Sequence, residues 1–331
     1  MDIREVDRGD EGALRRFWEI GRLAAAATRP FDFHLPWESA LATWTQGRAG
    51  FRDVLLAVHD GTEMVGRASL GYSDLDNTHV AHLDVAVDPA RWRSGFGSAA
   101  LTVAEQRARH DGRRTLVLEA YAPLHADSPG LAFALAHGFR PALEDRMKVV
   151  DLVATEPTWD ALEAEVRRRA AGYSLVEWTD RVPAEHVEGY CRINEAFLTE
   201  MPLGELDLEP EAWTPERVRT RNEQSRRGGR RELTVAALDP DGSMVGLTEV
   251  VLNEHAPHRG FQSGTLVVPA HRGRALGLLM KLRNHRRLRA DHPACTVLVT
   301  GNAGVNVAMN AVNARLGYRD VERCVELQRV L

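Results

Sequence analysis

The chain has 331 residues, 44% of them hydrophobic and 27% charged, with a formal net charge of −5. That length exceeds one ordinary core and suits two domains. The composition is that of a soluble globular protein, and the mild negative charge gives no reason to expect nucleic acid or an anionic membrane as partner.

Taken in order, Glu11–Ala27 carries helical spacing, and Pro30, Phe31, Phe33, Pro36 and Trp37 mark an irregular passage after it. Val54–Val58 and Val65–Leu70 read as a strand pair around the turn Asp60-Gly61. His82–Val87 reads as a strand, residues 92–97 as a loop, Ser98–His110 as a helix and Leu116–Glu119 as a strand, with a further helix ending near Gly138. Glu156–Ala171 has Trp159, Leu162 and Val166 at helical spacing, either an amphipathic strut or a solvated linker helix. The stretch Met201–Asp207 with Pro210 is a long break with room for a lid or an acceptor wall. Trp213–Asn222 is helical, and Ser225–Arg231 is a basic turn read as a solvated hairpin loop. Leu233–Leu238 and Met244–Leu252 form a hairpin around Asp239-Pro-Asp-Gly242. A strand ending at Pro269, a helix to Arg289, a strand Thr296–Val299 and a helix to Leu316 follow.

The chain is a repeat. Met64-Val-Gly66 recurs 180 residues later as Met244-Val-Gly246, Val87-Asp-Pro89 as Val267-Val-Pro269, and Gly97 as Gly277. Gly138-Phe139 recurs 179 residues later as Gly317-Tyr318. The expected organisation is therefore a first domain over residues 1–150, a linker helix over 151–172 and a second domain over 173–331.

Within the second repeat the chemistry concentrates in Thr265-Leu-Val-Val-Pro-Ala-His-Arg-Gly-Arg-Ala-Leu-Gly277. Strand, tight turn and helix start aim unpaired backbone N–H groups and a positive dipole end at one point, which binds phosphate. No Gly-Lys-Ser/Thr ends the turn, and Gly-x-Gly-x-x-Gly is absent, so neither a P-loop nor a dinucleotide fold is expected. Arg272, Ala275 and Gly277 instead resemble the Gln/Arg-x-x-Gly-x-Gly/Ala pyrophosphate loop of the GNAT superfamily of acyl-coenzyme A-dependent N-acyltransferases, with Ala275 departing at the middle position.

That resemblance implies an α/β (α+β) fold of two tandem GNAT-like domains, each a mixed, mostly antiparallel central sheet flanked by helices. It implies acetyl-coenzyme A as co-substrate, no metal, and transfer of a short acyl group to a primary amine of a small molecule. A non-catalytic acyl-coenzyme A sensor and a protein-lysine acetyltransferase are the other readings. Leu266, Val267, Arg272, Gly273, Arg274, Ala275, Leu276, Gly277, Asn302 and Asn306 would hold coenzyme A, a backbone N–H near Leu266 or Val267 serving the oxyanion. Lys281, Arg283, Arg286 and Arg287 are within reach of the 3′-phosphate or form a solvated helix face. Gln262 and Thr265 would face the acceptor, or are ordinary strand residues.

Glu249 is the expected base, alternatively an exposed strand residue, because an alkylamine attacks only when deprotonated. Many GNAT members place a tyrosine acid four residues before the closing Gly-Phe; here that residue is Asn313, which hydrogen-bonds a sulfur but supplies no proton, leaving water or a route through Tyr318. Asn306, Asn310 and Asn313 fall on one helix face, read as a buried or ligand-facing stripe.

In the first copy Trp92 stands for Arg272, Ser69 for Glu249, Ala122 for Asn302 and Ala134 for Asn313. The second copy is therefore expected to catalyse and the first to support, although Arg93, Gly95 and Gly97 leave anion binding there open. Cys191, Cys295 and Cys324 lack metal-ligand spacing, and the opening Met-Asp-Ile-Arg-Glu-Val has no signal-peptide core. A cytoplasmic protein with free thiols, monomeric or homodimeric, is the expectation.

Overall fold

Alternation within Val54-Leu-Leu-Ala-Val58 decides the architecture of the first half. Val54, Leu56 and Val58 pack into one cluster and Leu55 and Ala57 into another, none more than 4% exposed. A strand buried on both faces needs helices on both faces. Each such buried leucine contributes roughly 1.5–3 kcal/mol.

The computed structural model describes residues 1–31 and 33–331 and divides into two units. Unit 1 is Met1–Asp145, Leu203–Glu209 and Val321–Leu331; unit 2 is Arg146–Pro202 and Pro210–Asp320. In chain order the elements are β1 (Asp2–Glu5), α1 (Glu11–Ala26), α2 (Trp37–Gln46), β2 (Phe51–Asp60), β3 (Glu63–Ser73), β4 (Val80–Val87), α3 (Phe96–His110), β5 (Thr115–Ala122), α4 (Pro129–Ala136) and β6 (Arg140–Asp151). There follow α5 (Leu152–Thr155), α6 (Trp159–Arg169), β7 (Ser174–Thr179), α7 (Val187–Glu200), α8 (Pro215–Arg227), β8 (Arg230–Leu238) and β9 (Met244–Asn253). The chain ends with β10 (Arg259–Val267), α9 (Leu276–Asp291), β11 (Val297–Ala303), α10 (Val307–Arg315) and β12 (Arg319–Val330).

In unit 1 the sheet runs β1-β2-β3-β4-β5, and residues 323–330 of β12 pair antiparallel with β5. One face packs on Phe96, Leu101, Ala104 and Leu131, the other on Leu14, Phe17 and Ile20 of α1. Strands β4 and β5 run parallel, which is why α3 must cross between them. Residues 203–209 are tied down in this unit: Thr115 Oγ1 donates to Asp207 Oδ2 at 2.9 Å, Asn77 Nδ2 to Glu209 O at 3.1 Å, and Glu205 N to Ala142 O at 2.9 Å. The break after α7 is thus anchored chain.

In unit 2, the antiparallel strands β7, β8, β9 and β10 continue into β11, parallel to β10. Leu233, Val235, Leu278, Leu279 and Leu282 fill the α9 face, and Tyr190, Ile193, Val218, Leu247 and Leu266 the face under α7 and α8. Trp159 is 1% and Val166 0% exposed, so α6 packs on this core as an amphipathic strut. The first repeat in sequence does not end where unit 1 ends, because residues 146–151 belong to unit 2 and 321–331 to unit 1.

Candidate active site

The site begins with a defect in β10. Its ladder with β9 shifts register between Gln262 and Thr265, a bulge. Gln262, 1% exposed, fills it, donating from Nε2 to Glu249 O at 2.7 Å and Thr248 Oγ1 at 3.1 Å. The Thr265 and Thr248 hydroxyls share a 2.7 Å hydrogen bond. Both Gln262 and Thr265 are engaged inside the sheet. Parallel pairing of β10 with β11 stops after Phe261↔Val299, and Thr300 Oγ1 donating to Gln262 O at 2.9 Å is a last tie. Leu266 and Val267 still pair with Leu247 and Gly246 of β9, while their other edge lacks a ladder. A strand pair that parts in this way is a slot for an extended amide-bearing chain.

The loop 272–277 stands at the end of that slot. Arg272 Nε donates to Val267 O at 2.9 Å and its Nη2 reaches Glu200 Oε2 at 2.5 Å. Arg272 therefore pins the loop to the strand end. Gly273 is left-handed (φ 78°), its carbonyl accepts from Arg169 Nη2 at 2.9 Å, and nothing lies within 4 Å of where a Cβ would stand. The Arg274 guanidinium lies 5.6 Å from the centre of the Tyr173 ring. Ala275 is also left-handed (φ 59°) and precedes α9 without a side-chain cap, so the first-turn N–H groups of Leu276, Gly277 and Leu278 keep their donor capacity. The Leu276 side chain is 2% exposed in the core and contributes only its backbone. The residues present fit a diphosphate.

Beside the slot lies a polar trio, two of its members buried. Asn313, 0% exposed, receives a hydrogen bond from Lys281 Nζ on Oδ1 at 2.6 Å and donates from Nδ2 to Asn302 Oδ1. Lys281, 1% exposed, has no ion pair among the described residues, and burial pushes its ammonium down to about 7. The helix face read as solvated is thus split: Lys281 and Arg287 are buried, while Arg283 pairs with Glu177 and Arg286 with Asp160 and Glu163. The asparagine stripe is split as well. Asn306 caps α10, accepting from Met309 N at 3.1 Å, and Asn310 Nδ2 donates to Ala303 O and Gly304 O. Only Asn313 of the three faces the trio. Tyr318 is buried, its hydroxyl 3.3 Å from His285 Nε2, and burial pushes its phenol far up.

Glu249 lies on the opposite face, 5% exposed. Its Oε1 accepts from Tyr190 Oη at 2.7 Å and Thr234 Oγ1 at 3.3 Å, and Oε2 is 3.5 Å from Arg221 Nη2. Arg221 also reaches Glu232 at 3.5 Å, whose carboxyl burial pushes up. Glu249 is thus an interior carboxylate in a hydrogen-bonded group that Tyr190 and Arg221 complete, two residues sequence reasoning did not single out. Phe197 of α7 covers β10 so closely that a Cβ on Gly264 would stand 2.4 Å from its ring.

The acetyltransferase (GNAT) family pattern matches residues 17–139. No curated protein matches the chain. Among solved structures, a tandem GNAT protein from the clavulanic acid biosynthesis pathway, solved without AcCoA, is 25% identical; the match covers 99% of this chain and 98% of that one at a TM-score of 0.82. Residues 17–139 thus carry the GNAT family pattern, and the whole chain shares the fold of a tandem GNAT protein. A GCN5-related N-acetyltransferase from Sphaerobacter thermophilus (15% identity, 99% and 95% coverage, TM-score 0.68) and a putative acetyltransferase from Pyrococcus horikoshii (13%, 100% and 89%, TM-score 0.58) share the fold.

The first GNAT unit repeats the loop. Trp92 Nε1 donates to Val87 O at 2.7 Å, as Arg272 does to Val267 O, and Gly95 is left-handed (φ 84°) at the start of an uncapped α3. The missing guanidinium is thus replaced by an indole in the same structural role. Ladder register places Ala120, rather than Ala122, at the position of Asn302: Thr115 N and Val297 N bond the equivalent His79 and His258 carbonyls. On its other face this unit holds an acidic group. Glu119 and Glu326 are register partners, Tyr121 Oη donates to Glu119 Oε2 at 2.5 Å, and burial with repulsion from Glu119 pushes Asp145 up to about 6 and Glu326 to about 7. The cross-strand pairing of β12 with β5, which no local spacing shows, creates it. Among the described residues there is no metal-ligand cluster and no helix long and apolar enough to cross a membrane.

Proposed function

We propose that this chain transfers an acetyl or other short acyl group from acyl-coenzyme A to a primary amine of a small molecule, and that unit 2 does so. The observation that carries the reading is the left-handed, uncapped loop 272–277 at the open end of the β10–β11 slot. When bound, the acyl-coenzyme A supplies an activated thioester. The chain's own residues do the rest: amides of 273–278 hold the diphosphate, and the free edge of Leu266 and Val267 orients the amide-bearing arm.

Glu249 is the proposed proton acceptor. Its carboxylate is fixed by Tyr190, Thr234 and Arg221, and the hydroxyl of Tyr190 is the route by which an amine's proton reaches it. Phe197 over Gly264 and the Arg272–Glu200 pair narrow the acceptor side. That supports a small amine over a protein lysine.

The enclosure of Glu249 also favours a second reading, a non-catalytic acyl-coenzyme A sensor. Thiol release from acetyl-coenzyme A across an amine panel decides between them. Turnover that falls about 10²- to 10⁴-fold in Glu249→Gln with unchanged coenzyme A affinity supports the enzyme. Binding without thiol release for every amine supports the sensor.

A further inference from the structure

Lys281 is the least expected interior residue of unit 2. It sits on α9 one helical turn beyond Gly277 and is 1% exposed. An interior ammonium without a carboxylate partner is costly. The first unit shows that the fold does not ask for it. Leu101 occupies the place of Lys281, Ala134 that of Asn313 and Ala120 that of Asn302, and all three lie in the hydrophobic core there. An apolar trio fills the same space, so the polar trio has another reason to be present.

Lysine is a donor only, so the hydrogen bond from Nζ fixes which end of the Asn313 carboxamide faces it. Oδ1 points to Lys281, and Nδ2 is turned to Asn302 on the strand that borders the slot. One Nδ2 hydrogen goes to Asn302 Oδ1. The second has no acceptor among the described residues, although the side chain is fully buried.

We propose that Lys281 is a positioning residue for acyl transfer: it orients and polarises Asn313 so that the second Nδ2 hydrogen holds the sulfur as the thioester is cleaved. This rests on the acyl-transfer reading of unit 2. In that step the amine nitrogen bonds to the acyl carbon, the C–S bond breaks and its electron pair remains on sulfur. The amine's proton passes to a base and, through solvent, to the thiolate. A positive charge one side chain behind Asn313 strengthens its N–H as a donor.

The titratable groups around Lys281 leave it alone in the neutral range. Burial, reinforced by Lys281 itself, pushes His285 on the same helix down to about 3. Burial pushes Tyr318 after α10 far up, and Cys295 before β11 up to about 11. Lys281, at about 7, is the group of this cluster that changes charge near neutrality. The ammonium form is the effective one, so kcat falls as pH rises through that value.

The test is the pH profile of kcat with saturating acetyl-coenzyme A and a competent amine, in wild type and Lys281→Met. The expected result is a roughly 10- to 100-fold lower kcat in the variant at pH 6.5. The descending limb near neutrality disappears and KM for acetyl-coenzyme A is unchanged. A merely structural lysine would leave the profile intact. Wild-type kcat and limb in the variant overturn the proposal. Should Lys281→Met fail to fold, Asn313→Ala, the residue unit 1 carries, must lose the same limb; retaining it is equally contrary. If the wild type itself releases no thiol, the acyl-transfer reading fails together with this one, whereas turnover that is indifferent to Lys281 removes this one alone.

Discussion

Arg272 and Trp92, 180 residues apart, donate to equivalent strand-end carbonyls, Val267 O at 2.9 Å and Val87 O at 2.7 Å. The first position of the loop pattern is therefore a clasp between loop and strand. Its charge is secondary, because Arg272 is already paired with Glu200. Arg272→Trp is expected to keep both stability and coenzyme A affinity, whereas Arg272→Ala loses about 1–2 kcal/mol of stability with a matching fall in affinity. Thermal melts and calorimetric titration of the two variants check this. Equal losses in both would show that the guanidinium charge is what matters.

Ala275 carries its methyl at φ 59°, in a region where glycine costs nothing and other residues are strained. Gly95 occupies the same place in unit 1. Ala275→Gly is expected to stabilise unit 2 by up to about 1 kcal/mol and to bring the loop amides closer to a diphosphate. The opposite change, Gly95→Ala, destabilises unit 1 by a similar amount. Melting temperatures of the pair, read in opposite directions, are the check.

The acidic group of unit 1 gives a pH dependence whose sign follows from linkage. Glu326 binds its proton more tightly folded, at about 7, than at its ordinary 4.5. Between those values the folded state holds more protons than the unfolded one, so stability is fully present below about 4.5 and declines as pH rises through about 7. Glu326→Gln is expected to raise stability at pH 8 by roughly 1–2 kcal/mol, allowing for partial solvent access, and to change little at pH 4.5. Urea unfolding at the two pH values measures it. A larger gain at the lower pH would contradict the assignment.

The repeat was legible because it rests on short-range signals: Met-Val-Gly at a strand start, Val-x-Pro at a strand end and Gly-Phe or Gly-Tyr after a helix. What lay between was less so. Helix α2 and strands β6 and β12 were not foreseen. Arg319–Val330 is dense in charge, and its interior Glu322 is tolerated only because Arg29, distant in sequence, pairs with it. The asparagine stripe misled because Asn306 is a helix cap and Asn310 a loop tie. Lys281 looked like a solvated residue of a basic helix. Its counterpart Leu101, at the same repeat offset, was the one available sign that the position is interior.

The loop at 272–277 is the proposed seat of the diphosphate, on which acyl transfer by unit 2 depends. A crystal structure with coenzyme A tests that most directly. The expected result is the diphosphate on the backbone N–H groups of residues 273–278, with the pantetheine arm between β10 and β11 and its sulfur beside Asn313. A nucleotide bound elsewhere in unit 2, or none there at saturating coenzyme A, would contradict it.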